Sequence, residues 1–165
     1  MYKKLILLIF CLLLSQEIYA EKNFIVFSGI GFPELINVGT RYQFEEIHLG
    51  ASFGFPVFLD DLHKRMNSVS FFPHYYFAGF SELTKAKTWY LKTGITYLWG
   101  ETSTKTYENV FLDIKVGKEF NLSNRFGVGI GAGTAIQVYE KPPSDMNIFL
   151  EPFFPSIGID IYYRL

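Results

Sequence analysis

Apolar residues recur at every second position through most of this chain, and no stretch after Ala20 repeats them at three and four positions over three turns. Strand side chains alternate between two faces, so a period of two predicts strands and not helices. Ile36, Val38, Thr40, Tyr42 and Phe44 oppose Asn37, Gly39, Arg41 and Gln43. Ile47, Leu49, Ala51, Phe53 and Phe55 oppose Glu46, His48, Gly50, Ser52 and Gly54. The same alternation runs through residues 89–99, 110–119, 126–138 and 157–165. Weaker strands fall at 24–32, where both faces are apolar, and at 68–80, where Pro73 cannot donate to a ladder and predicts a bulge or a late start. The total is eight, an even number.

Which face is wet decides the class. In a soluble sandwich the large apolar faces of two sheets meet, and the outer faces carry abundant charge. Here the second face is Gly, Ser, Thr and scattered charges, while the apolar face is long, uniform and aromatic near its ends. That pattern predicts an all-β fold: a closed eight-stranded antiparallel up-and-down transmembrane β-barrel with lipid outside and a small-residue, polar lumen. A tilted spanning strand needs about 9–11 residues, which these segments reach. In hydrocarbon every backbone group must be paired, so the sheet must close. With 49% hydrophobic and 19% charged residues, a disordered chain is excluded. A net charge of −1 supplies no basic field for nucleic acid.

Residues 1–20 carry Lys3 and Lys4, an apolar run over 5–14, and Ala20 after Ile18 and Tyr19. This is the form of a secretory signal peptide cleaved after Ala20. The run is about half of the roughly 20 residues that a spanning helix needs. Residues 21–165 then form one barrel domain. The single cysteine, Cys11, lies in the leader without the small residues a lipoprotein signal shows. The exported chain would thus have no disulfide, thiol nucleophile or cysteine-ligated metal. Without Lys3, Lys4 and Glu17 the 15 basic and 16 acidic residues become 13 and 15, a net charge of −2.

The connections agree with a barrel. With the amino terminus on the inner side, the outward ones include 56–67, 100–109 and 140–147, all polar and long. The inward ones lie near 45–46, 81–88 and 121–124. Outer-membrane barrels have short inner turns and long outer loops. The outward connection at Pro33 and Glu34 is tight and departs from this. At the carboxyl end Ile157, Ile159, Ile161, Tyr163 and Leu165 place an apolar residue at every second position, with an aromatic third from last. This resembles the terminal signal by which bacterial outer-membrane barrels are recognised for assembly, although Leu165 stands where the family usually ends in Phe. Over its full expected mature length the chain resembles the small eight-stranded barrels typified by outer-membrane protein X and the membrane domain of outer-membrane protein A. The resemblance implies residence in the outer membrane of a Gram-negative-type cell envelope, contact with its lipid, and use of the barrel assembly machinery through that last strand. Such barrels vary widely in role, so fold does not carry function.

An eight-stranded barrel is just wide enough to be filled by side chains. Arg41, Gln43, Glu46, His48, Lys92, Asp113, Lys115, Glu119, Asp160 and Arg164 are therefore expected as an inward polar plug, paired because an unpaired buried charge is costly. Gly127, Gly129, Gly131 and Gly133 form a column that lacks the following helix a phosphate loop needs. It should instead leave room for Tyr90, Tyr162 or Arg164. Glu46, His48 and Ser52 share a face, but a rise of about 3.3 Å per residue separates His48 from Ser52 by roughly 13 Å, too far for a nucleophile and its base. Lipid A deacylase barrels use a His-x-Ser pair, and neither His48, His63 nor His74 has Ser at that spacing. Asp60, Asp61 and His63 would be short of ligands for a metal. No catalytic, cofactor-binding or metal site is expected. Tyr42, Phe44, Phe53, Phe55, Trp89, Trp99 and Tyr163 are expected as interfacial girdles. The primary expectation is a monomeric, non-catalytic barrel with a structural or surface-interaction role. The alternatives are a secreted or periplasmic lipocalin-like barrel holding an apolar ligand, which would invert the faces, and a barrel enzyme acting on outer-membrane lipid.

Overall fold

The computed structural model describes residues 23–56, 65–101, 106–141 and 152–165. Within them the chain forms β1 (Phe24–Gly31), β2 (Leu35–Phe44), β3 (Ile47–Phe55), β4 (Arg65–Phe80), β5 (Lys87–Glu101), β6 (Thr106–Asn121), β7 (Phe126–Lys141) and β8 (Phe153–Arg164). Each strand pairs antiparallel with the next, and β8 returns to β1 through Ser28↔Ile161 and Ile30↔Ile159, closing the sheet. The eight-stranded up-and-down barrel follows from the alternation. The strands have one apolar face and one of mainly small and polar residues, and closure leaves no unpaired edge along the shared length. An even strand number puts both ends of the barrel chain beside the tight connections at 45–46, 81–86 and 122–125. We refer to that as the turn end, and to the opposite one as the loop end.

The strands outrun their apolar patterns. β4 begins at Arg65 rather than at residue 68, β5 and β6 pair out to Glu101↔Thr106, β7 reaches Lys141, and β8 begins at Phe153 rather than at residue 157. Ladder bonds join main-chain groups, so pairing continues through Gly100↔Tyr107 and Trp99↔Glu108 after apolar alternation has ceased to mark it. The connection expected over 100–109 is correspondingly shorter.

Pro73 does not shift the register. The β4–β5 ladder lapses between Phe71↔Ile95 and His74↔Lys92 and resumes in the same frame, while Pro73 pairs with Leu49 of β3. The bulge in β4 lies instead between Tyr76 and Ala78, leaving Phe77 unopposed. A second bulge on β7 leaves Val138 unopposed. Beyond the first bulge Gly79 takes φ +67°, and a Cβ there would meet Thr88 Oγ1 at 2.6 Å.

Candidate functional site

The distribution of side chains is that of a globular protein turned inside out. Among the described residues eight apolar side chains are buried, and about four times as many large ones stand exposed on the outer wall. The buried set is instead rich in charge: Glu34, Arg41, Asp113, Lys115 and Glu119 are each less than 5% exposed. Parity produces this directly, since Leu112, Ile114 and Val116 project outward and Asp113, Lys115 and Glu119 inward from the same strand.

The lumen is layered. Nearest the turn end, Arg41 from β2 donates from Nη1 to Glu119 Oε1 at 3.0 Å and to His74 Nδ1 at 3.1 Å. Tyr76 Oη donates to the same Glu119 oxygen at 2.5 Å, and Arg164 Nη2 donates to Glu119 Oε2 at 3.2 Å. Asp160 Oδ1 stands 3.9 Å from Arg41. The Arg41 guanidinium lies 5.3 Å from the ring centres of both Phe27 and Tyr162. Two cations thus face two carboxylates, bounded by aromatic rings. Above this layer Glu34 reaches inward from the β1–β2 turn and accepts from Lys92 and, at 2.7 Å, from Lys115. Lys115 is also 3.5 Å from Asp113. This second layer is again neutral. At the loop end the filling becomes apolar: Leu98, Phe111 and Ala135 pack with Phe32, Leu35, Met66, Tyr107 and Phe154. Ser68 and Ser156 donate to the carbonyls of Glu34 and Phe32, pinning the turn inward.

The predicted plug residues divide into two groups. Arg41, Lys92, Asp113, Lys115, Glu119, Asp160 and Arg164 come together as paired groups inside the barrel. Gln43 and Glu46 do not. They line the outer part of a cavity of about 330 Å³ at the turn-end mouth, whose inner lining includes Glu119 and Arg164, and there Glu46 pairs with Lys87. His48 is buried against Tyr76, with ring centres 4.3 Å apart. Ser52 sits in register with Ser70 and the structure gives it no contact with His48. Among the described residues no cluster of His, Asp or Glu is placed to hold a metal ion. Asp60, Asp61 and His63 lie outside the described residues, as does the expected leader.

The glycine column does what its position implies. A Cβ on Gly131 would meet Tyr90 Oη at 3.0 Å, one on Gly129 would meet Asp160 Oδ1 at 2.7 Å, and one on Gly127 would meet the Tyr162 ring. Asp160, and not Arg164, is the third group that leans into the column. Of the residues expected as girdles, Tyr42 packs with Phe44 at 4.6 Å, Phe53 with Phe55 at 4.9 Å, and Trp99 with Tyr97 at 5.3 Å, towards the two ends of the wall. Sequence reasoning missed His74, Tyr76 and Glu34. The first two are on the inward parity of β4, opposite Phe71, Tyr75 and Phe77, and that parity would have found them. Glu34 lies in a turn, where no alternation exists to assign a face. No family model matches the chain, and neither a curated protein nor a solved structure matches it.

Proposed function

We propose that this chain is an integral outer-membrane protein of a Gram-negative-type bacterium, a small barrel of the kind represented by outer-membrane protein X. It is non-catalytic, and its role is structural or one of surface interaction through the connections that join β3 to β4, β5 to β6 and β7 to β8. The carrying observation is the orientation of the two faces. A soluble monomer rarely exposes an apolar patch of more than a few hundred Å². Here Val38, Leu49, Phe71, Ile95, Ile114, Ile130 and Ile159 are all about half exposed, so apolar side chains ring the wall. A lipocalin-like carrier needs the reverse, bulky apolar residues lining the lumen around a ligand. The middle of this lumen holds four cations and four carboxylates. Ile157, Ile159, Ile161 and Tyr163 face outward on β8 and Leu165 is exposed just beyond it, as a terminal strand read by the barrel assembly machinery requires.

The test is expression in a Gram-negative host, membrane fractionation and gel mobility with and without boiling. The protein should partition with outer-membrane lipid and migrate faster unboiled than boiled, because a closed barrel resists detergent. Recovery from the periplasm without detergent would refute the proposal.

A further inference from the structure

Lys118 is out of place on the outer wall. Outward positions run from Val26 to Ile30 on β1, Ile36 to Phe44 on β2, Ile47 to Phe55 on β3, Val69 to Phe77 on β4, Trp89 to Trp99 on β5, Val110 to Phe120 on β6, Phe126 to Val138 on β7 and Phe153 to Tyr163 on β8. Among them Lys118 alone carries a charge, while Lys87 on β5 and Glu108 on β6 continue the same outward columns at the turn-end and loop-end rims. No carboxylate of the described residues pairs with it. Its ammonium lies 5.4 Å from the Trp89 ring centre and 5.2 Å from that of Phe120. Phe120 is two residues nearer the turn end on the same strand, and Trp89 is the third residue of β5 counted from that end. Trp89 is the direct cross-strand partner of Lys118, so the ammonium lies near one ring at its own level and one on its turn-end side, in the last few residues of both strands.

A lysine on the lipid face of a barrel costs about 2–4 kcal/mol at the bilayer midplane and about 0–1 near the interface. Its place three residues from the turn-end terminus of β6 is the cheaper one, with the ammonium close to two rings and within a side chain's reach of the rim. Two aromatic faces satisfy part of the ammonium's field, and the side turned to the lipid keeps its N–H donors. At that depth the complementary group in a bilayer is a headgroup phosphate.

We propose that Lys118, Trp89 and Phe120 form a site for one phospholipid headgroup in the leaflet that meets the turn end, and that the site prefers a net anionic headgroup to a zwitterionic one. The quaternary ammonium of choline competes for the phosphate by charge from within its own molecule, whereas an anionic headgroup leaves the phosphate free for Lys118. The inference rests on the membrane reading above and deepens it by naming the lipid chemistry that the wall selects.

The chain has two tryptophans, so the Trp99→Phe variant leaves Trp89 as the sole reporter inside the site. The full chain would be reconstituted in vesicles of phosphatidylcholine and phosphatidylglycerol, with bromine on the acyl chains of one lipid or the other. Quenching then reports the lipid bound beside Trp89 and is blind to free phosphate. At equal mole fraction, brominated phosphatidylglycerol should outcompete brominated phosphatidylcholine by about fivefold, as expected for one basic residue at an anionic surface. Lys118→Arg should keep the preference, and Lys118→Gln should bring it to unity. Equal quenching before mutation, or a preference that survives Lys118→Gln, overturns the site but leaves the membrane reading standing. Absence of quenching by either lipid overturns the membrane reading itself.

Discussion

Replacing Glu119 with Leu should destabilise the barrel far more than its volume change implies. The carboxylate is the shared acceptor of Arg41, Tyr76 and Arg164. Its side chain and that of Arg41 are each 1% exposed. Arg164 retains Asn121 Oδ1, but Arg41 is left with Asp160 at 3.9 Å as its nearest carboxylate. Removing one partner of a buried pair costs about 3–5 kcal/mol, whereas exchanging both for apolar groups of similar volume is close to neutral. Arg41→Met should therefore cost about as much as Glu119→Leu, while the double variant should cost no more than about 2 kcal/mol against an additive expectation of about 6–10 kcal/mol. The assay is urea unfolding of vesicle-reconstituted protein, followed by tryptophan fluorescence and by resistance to detergent without boiling. A Glu119→Leu cost below about 1 kcal/mol, or additive single effects, would refute the neutral-layer account of the lumen.

Two glycines of the inner wall should respond in opposite ways to alanine. At Gly133 the new Cβ would run into the Ile114 carbonyl and come within 2.7 Å of Lys115 Cα, so Gly133→Ala should cost about 1–3 kcal/mol in the same urea assay. At Gly158 the nearest atom is 3.8 Å away, and Gly158→Ala should leave the midpoint unchanged. Nitroxides on single cysteines at Leu112 and Ile130, both about two-fifths exposed on the wall, should relax faster with dissolved oxygen than with a water-soluble nickel chelate. The opposite order would place that face in water. Truncating Tyr163 and Leu165 together to Ala should lower the folded, outer-membrane fraction seen by heat-modifiable mobility, and unchanged yield would remove the assembly role of β8.

The fold was legible because closure and alternation leave a single physical signal at every position. Ile130 and Gly131, or Ile161 and Tyr162, need opposite surroundings, and one register satisfies all of them. The signal fades where a position belongs neither to the apolar outer wall nor to the lumen. Residues 106–109 of β6 are Thr, Tyr, Glu and Asn, which read as a loop, yet their backbones pair with β5. Pro73 misled in the other direction. Its missing donor interrupts one ladder locally, but the neighbouring pairs hold the frame, so no compensating residue is needed.

Charge balance would have recovered the least legible member of the lumen. The predicted inward set contains four cations (Arg41, Lys92, Lys115, Arg164) and four carboxylates (Glu46, Asp113, Glu119, Asp160). Glu46 sits on the second residue of a tight turn, where Lys87 meets it at the mouth with half of its side chain in water. Subtracting it leaves the sealed interior one negative charge short. An uncompensated buried lysine would be expensive, so a further acid has to enter from a connection. The β1–β2 turn is the shortest connection at the loop end, and Glu34 is its acid; the carboxylate occupies the gap between Lys92 and Lys115. The departure of that turn from the long-outer-loop pattern is then accounted for: its length is set by the need to reach inward and neutralise the upper layer. Phe32 and Leu35, on either side of Glu34, join the apolar packing that seals the same end.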